Sequence, residues 1–249
     1  MIDIPRQPSP QLFNIQQWPK AAFALHLSAT SGSSVRYEIA ESVGRQFGIT
    51  PDCGSMARMF KQLNDLDLTI TQDFSIVHRL HLAGIRLSTS GKKYCESLGW
   101  PVVENEWERL LRLHCADTQI RHTGAVMAFA YQARRHGWKI QVLPQTGIAN
   151  FYPDAVVEKG DERHYVEVEL GTRKEGKWLL ALRCQGYVAL CARTPIRRAS
   201  LIDECADVGV YGIATDLFTL AKSDARTPLW TEKWTVEDNF NYIPKQGFC

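Results

Sequence analysis

Apolar positions along the chain recur first at helical spacing, then at strand spacing, and then alternate between the two. From Ser34 the run Val35, Ile39, Val43 and Phe47 has a helical period and closes at Gly48, a residue suited to a left-handed helix cap. Thr50-Pro51-Asp52 offers a cap, a proline for the first helical position and an acid for the first turn, which predicts a second helix to about residue 66. Its apolar stripe is Met56, Met59, Phe60 and Leu63, with Ser55, Arg58, Lys61 and Gln62 on the other side. Residues 68–71, 76–82 and 85–89 are rich in β-branched and aliphatic side chains, and Ala83-Gly84 is the predicted turn of a hairpin between the last two. A helix from near Ser90 stops at Gly99-Trp100-Pro101, and the acidic, aromatic stretch 104–113 reads as a connecting helix.

Beyond that point the pattern changes. Residues 120–135 read as a helix apolar on several sides, through Ala125, Val126, Met127, Phe129, Ala130 and Tyr131, and Gly137 stops it. A helix of this kind belongs against a sheet. Strands are predicted over 138–143, from Pro153-Asp154 into Ala155-Val156-Val157, and over 165–170, with a turn at Lys159-Gly160-Asp161. A helix follows Gly171-Thr172, then strands over 199–202 and 208–214 with a helix between them, and an irregular, Trp-bearing tail from Ser223.

Composition narrows the class. With 249 residues and 45% hydrophobic content the chain can bury a full core, and the change of pattern divides it in two. The expected organisation is an N-terminal arm and DNA-binding domain over 1–103, a connecting helix over 104–117, and a second domain with a C-terminal tail over 118–249. The formal net charge of +2 announces no general affinity for nucleic acid, so any such affinity rests on local clusters of Lys and Arg. Seven cysteines without a CxxC pair fit neither a disulfide framework nor a zinc site. The first ten residues are Pro-bearing and lack the apolar core of a signal peptide. No stretch approaches the roughly 18 apolar residues of a membrane span, so a bacterial-type cytoplasm and no membrane partner are expected.

Two helices followed by a hairpin have the shape of a winged helix-turn-helix. Ser55, Arg58, Lys61 and Gln62 then occupy the face where a recognition helix carries its base and phosphate contacts, a pattern equally that of a solvated helix face. Arg79 and Arg86 on the hairpin, with Lys92 and Lys93 at the start of the next helix, gather positive charge where a duplex backbone would pass. His78 and His81 stand three apart on a predicted strand, so they point to opposite faces and do not share an ion.

In the strand over 165–170 the period of two places Tyr165, Glu167 and Glu169 on one face and Val166, Val168 and Leu170 on the other. The two carboxylates are then about 7 Å apart along the strand, a spacing that flanks one or two divalent ions, and Asp154 on the neighbouring strand completes an acidic set. Mg²⁺ or Mn²⁺ suits such oxygen donors and brings the water that hydrolyses a phosphodiester. The competing reading is ordinary: alternating Glu is also the pattern of a solvated sheet face, and Pro-Asp opens many turns. Arg173, Lys174 and Lys177 follow the predicted cap, and Lys177 is the candidate for neutralising transition-state charge, against a solvated helix start. Gln185 and Tyr187 read as packing or as DNA contacts; Trp230, Trp234, Phe240, Tyr242 and Phe248 read as packing ahead of stacking platforms for single-stranded DNA, both being physically open.

The order of these features, an Asp opening one strand and Glu-x-Glu on the next between two helices, resembles the PD-(D/E)xK nuclease core. There the strand ends Glu-x-Lys, and Glu169 stands here where that lysine would be. Arg121-His122-Thr123, Pro153-Asp154 and Val166-Glu167-Val168-Glu169-Leu170-Gly171-Thr172 resemble the signature of plasmid replication-relaxation proteins, and within them the MobC-type relaxases of mobilisable plasmids. The resemblance implies a winged helix joined to a restriction-endonuclease-like α/β domain whose central mixed sheet is flanked by helices. It further implies a site- and strand-specific nick at a plasmid transfer origin in double-stranded DNA, with accessory mobilisation and coupling proteins as partners. Asp154, Glu167 and Glu169 would be both catalytic acids and metal ligands, His122 would lie nearby, and no tyrosine-linked intermediate is implied. On its own, His122 is either a packed helix-start residue or a proton carrier. Two other functions fit the same pattern: a DNA-binding replication or regulatory protein with an inactive core, and a restriction-type enzyme cutting both strands as a dimer.

Overall fold

In the computed structural model, which describes residues 15, 18–77, 80–114, 120–171 and 175–235, the chain divides into two units. One is built on Met1–Phe74 and Leu82–His114, the other on Ser75–His81 and Cys115–Cys249. The chain is a mixed α/β protein, with helices and a β-hairpin first and a six-stranded mixed sheet flanked by helices after them.

The first unit opens with α1 (Pro19–Thr30), which the apolar pattern does not register because its buried stripe is made of small residues: Ala21, Ala24, Leu25, Ser28 and Ala29. Then come α2 (Arg36–Phe47) and α3 (Gly54–Asp65). Gly48 caps α2 at φ +66°, as the sequence predicts. The start of α3 is a correction. Thr50 and Pro51 do not begin the helix; the Cys53 N–H donates to the Thr50 carbonyl at 3.3 Å, closing a turn, and the helix starts at Gly54. The fixed φ of proline suits the second position of a turn as well as a first helical position. Leu25, Ile39, Val43, Met59, Phe60, Leu63 and Ile85 form the core of the unit.

The hairpin consists of β1 (Thr69–Val77) and β2 (Leu80–Leu87). Ala83-Gly84 is therefore inside a strand rather than at the turn, because Gly84 forms an antiparallel bridge with Val35 and the Ile85 N–H donates to the Ser34 carbonyl at 2.8 Å. A third extended segment thus lies along β2. After it come α4 (Thr89–Ser97), capped by the Ser88 hydroxyl, and α5 (Glu106–His114). At Gly91 a Cβ would meet the Leu68 carbonyl oxygen at 1.9 Å, so only glycine lets α4 approach the chain that enters β1.

The second unit contains α6 (Ile120–Arg135), β3 (Lys139–Val142), β4 (Ala155–Lys159), β5 (Glu162–Glu169), α7 (Glu175–Gln185), β6 (Val188–Ala192), α8 (Pro195–Ala206), β7 (Gly212–Asp216), α9 (Leu217–Lys222) and β8 (Glu232–Trp234). The strands lie in sequence order, β3 to β5 antiparallel, β5 to β7 parallel, and β8 antiparallel on the edge. Trp178 and Ala181 of α7 and Leu201 of α8 pack with Val188, Leu190, Ala192 and Ala214 of the sheet. Residues 199–202, predicted as a strand, are helical: Thr194 caps α8 and Pro195 takes its first turn, and these local signals outweigh the short aliphatic run. The neighbouring strand β6 is buried at all five positions, so it lacks the alternation that marks a half-exposed strand. Among the described residues no helix is long and apolar enough to cross a membrane.

Candidate active site

The acidic side chains converge because of strand register. Ala155 of β4 pairs with Val166 of β5, so Asp154, the residue just before β4, stands level with Glu167. On the other side Glu169 pairs with Ala192 and that residue with Asp216, which brings the carboxyl ends of the parallel strands to one edge. Asp154, Glu167 and Glu169 are each only 1% exposed. The alternative reading of Glu-x-Glu as a solvated sheet face is thereby overturned.

Asp154 is held at several points. Its Oδ1 lies 3.0 Å from His122 Nε2 at the start of α6, and its Oδ2 accepts the Val168 N–H at 2.8 Å. Its carbonyl accepts the Leu143 N–H at 2.9 Å, from a leucine in the left-handed region at φ +45°. A bulky residue is strained there and is kept so by its burial and that bond. Lys177, from the first turn of α7, places its ammonium 3.8 Å from Asp154 Oδ2 and in direct contact with Glu167 Oε2. The Lys177 side chain is 27% exposed and that of His122 15%, so both line the opening to a buried acid pair.

Electrostatics separate the two acids. Burial pushes the Asp154 carboxyl upward, but the His122 hydrogen bond, the Lys177 charge and the Val168 N–H outweigh it and hold it at about 2. Burial also raises Glu167, and there it wins: despite the contact with Lys177, the charges of Asp154 and Glu169 add to the desolvation and the group rises to about 8. Burial disfavours the charged form of Lys177, yet Asp154 first and Glu167 second outweigh it and raise that group. The ammonium therefore answers chiefly to Asp154, and Glu167 carries a proton through the neutral range unless a further cation arrives.

In donor type the site fits a hard cation: the acids are oxygen ligands, and the buried Glu167 Oε1 has no hydrogen-bond partner among the described residues. Asp154, Glu167 and Glu169 would hold such an ion. Among the described residues, however, no three Asp, Glu, His or Cys stand at metal-binding spacing. The Lys177 ammonium supplies the positive charge between Asp154 and Glu167.

Asp216, at the same end of the strands, is not among the residues that the sequence pattern singles out. It is fully buried, caps α9 by accepting the Thr219 N–H at 2.8 Å, and binds Arg198 at 2.6 Å. Its sequence signal, an acid opening a short helix, reads only as a cap. The Cys191 thiol reports its proximity to the centre: burial, then Asp216, then Asp154 push that thiol well up.

Of the residues singled out for DNA contact, Ser55, Arg58, Lys61, Gln62, Arg86, Lys92 and Lys93 belong to the first unit. Arg58, Lys61 and Gln62 are exposed on α3, and Ser55 is half-buried with its Oγ 3.0 Å from Cys53 Sγ. Lys61 pairs with Asp65 at 2.6 Å, Lys92 with Glu108 at 2.6 Å, and the Arg86 guanidinium lies 5.1 Å from the Trp107 ring centroid. Lys93 and His81 are exposed. Arg79, His78, Thr172, Arg173, Lys174, Phe240, Tyr242 and Phe248 lie outside the described residues. In the second unit Gln185 exchanges two hydrogen bonds of 2.9 Å with the Tyr165 backbone, and the Tyr187 hydroxyl meets His164 Nδ1 at 2.5 Å. Trp230 packs against Phe129, Trp138 and His164, and Trp234 Nε1 donates to the Val210 carbonyl at 2.9 Å.

No family model, no curated protein and no solved structure matches the chain.

Proposed function

We propose that the chain is a DNA nickase, with a winged helix in its first unit and a restriction-endonuclease-like cutting centre in its second, acting at a plasmid transfer origin during mobilisation. The observation that carries this reading is the position of Lys177. Its ammonium sits over Glu167 and Asp154, and so supplies from a helix the cation that Glu169 displaces from the strand. In the first unit the order helix, bridged residue Val35, helix, helix, hairpin supports the winged-helix reading, since α1 and the Val35–Gly84 bridge supply the two parts that the apolar pattern omits.

In this mechanism the Lys177 ammonium, at the opening, positions the scissile phosphate at the sheet edge, while Asp154 and Glu167 would hold a Mg²⁺ or Mn²⁺ ion through their oxygens. His122 and the Val168 N–H fix Asp154 before substrate arrives, so no reorganisation is needed at the moment of reaction. Lys177 offsets negative charge developing on the phosphate. A bound Mg²⁺ or Mn²⁺ would lower the pKa of a water and so provide the attacking hydroxide.

The test is nicking of supercoiled plasmid carrying a transfer origin in Mg²⁺ or Mn²⁺, wild type against Glu167→Gln. Loss of open-circle product in the variant is expected; equal nicking overturns the proposal. A second reading, a DNA-binding regulator with a silent core, is favoured by the absence of metal-binding spacing among the described acids. Sequence-specific retention of a duplex with no cleavage in either metal would select it.

A further inference from the structure

The edge of the sheet that carries the acid centre also carries an apolar rim. Tyr152 is 70% exposed and Ile196 85%, the highest values of any large apolar side chain among the described residues. Continuing the β4–β5 register back from Ala155 and Val166 sets Tyr152 level with Glu169. On the other side Ala192 pairs with Glu169 and leads through Arg193 to Ile196 in the first turn of α8. Both side chains therefore border the same end of the strands as Asp154 and Glu167. Water is a poor environment for such surfaces, and nothing in the packing of this unit accounts for them.

Tyr152 is also held by its neighbours. Phe151 and Pro153 on either side are buried, the Phe151 ring meets Tyr165 edge-on at 5.3 Å, and the Phe151 carbonyl accepts the Thr146 hydroxyl at 2.9 Å. An exposed aromatic on an anchored backbone loses little freedom when a flat partner settles on it. Arg193, between the strand end and Ile196, is half-buried, and its buried Nε has no hydrogen-bond partner among the described residues.

We propose that Tyr152 stacks on an unpaired nucleobase of the DNA strand whose phosphate lies at the acid centre. Ile196 wedges from the opposite side, and Arg193 takes the adjacent phosphate. This inference rests on the DNA reading of the site and names the contact that would splay the strand there. Stacking suits the position because it tolerates any base and needs no matching donor or acceptor.

The experiment uses the full chain in EDTA, so that no cutting occurs, with a single-stranded oligonucleotide carrying 2-aminopurine, whose fluorescence falls on stacking. Wild type is expected to quench it. Tyr152→Ala is expected to weaken binding about tenfold and abolish the quenching, while Tyr152→Phe keeps both. Ile196→Ala is expected to reduce the quenching less, and melting temperatures should match the wild type, since both side chains are exposed. Wild-type quenching by Tyr152→Ala, loss of quenching in Tyr152→Phe, or retention of fully paired duplex alone would overturn the proposal. A chain that quenches without nicking in Mg²⁺ or Mn²⁺ overturns the nuclease reading and leaves this one standing. A chain that nicks without quenching does the reverse.

Discussion

The cationic face of α3 and the acid centre beside β5 treat charge in opposite ways. On α3, Arg58 and Lys61 stand in water and Lys61 is balanced one-to-one by Asp65, so each charge is screened and nearly independent. Beside β5, Asp154, Glu167 and Glu169 are buried together against Lys177, where loss of any one changes the protonation of the others. A surface of the first kind suits graded binding; a cluster of the second suits one chemical step. The contrast also sets how hard each should be to break.

The largest effect is expected from the centre itself. Glu167→Gln keeps the shape and removes the raised carboxyl, and its nicking rate should fall at least about 100-fold. Lys177→Met should lower the rate by a similar factor. It should also destabilise the fold by about 3 kcal/mol in urea unfolding, because it leaves buried acids without their counter-charge.

Next in size is a pH effect peculiar to buried acids. Glu167 rises to about 8 in the folded chain, above its ordinary carboxylate value, so the folded state binds the proton more tightly. The stability it contributes is complete below that ordinary value and is lost as pH rises through about 8. The urea midpoint should therefore fall between pH 6 and pH 9 without added metal, and Glu167→Gln should flatten the slope. Asp154, held at about 2, acts with the opposite sign: its contribution is present above the ordinary carboxylate value and is lost as pH falls through about 2. A flat wild-type midpoint between pH 6 and pH 9 would mean that Glu167 is not raised.

The exposed face should respond weakly and smoothly. Arg58→Ala is expected to reduce duplex affinity a few-fold and to lower the salt slope by about one, measured by fluorescence anisotropy across salt concentrations. Lys61→Ala should do less, because Asp65 already holds part of its charge. Smallest of all, Arg86→Ala should leave DNA affinity unchanged and cost about 0.5–1 kcal/mol of stability, since its guanidinium is stacked on Trp107. An affinity loss equal to that of Arg58→Ala would restore Arg86 to the DNA-contacting face.

Helices with strong periodicity were legible before the structure: α2 with its cap at Gly48, α6 over its full length, and the buried stripe of α3. Elements whose burial leaves no period were not. The stripe of α1 is made of small residues, and β6 is apolar on both faces. Ala83-Gly84 has the local character of a turn but serves a close backbone approach to Val35, and no local signal separates that use of glycine from a turn.

At the candidate site the residue types and their alternation are properties of the chain alone: three acids, a lysine in the first turn of α7, a histidine opening α6. Their meaning depended on what surrounds them. An Asp and a Glu-x-Glu strand are compatible with a wet surface, and only packing against the sheet edge and α7 removes the water. Burial then drives Glu167 up, while two hydrogen bonds and the Lys177 charge hold Asp154 down, a divergence that no spacing encodes, because desolvation is set by neighbours distant in sequence. Local pattern therefore decided which groups were present and on which face, and tertiary structure decided that they would share one water-poor space.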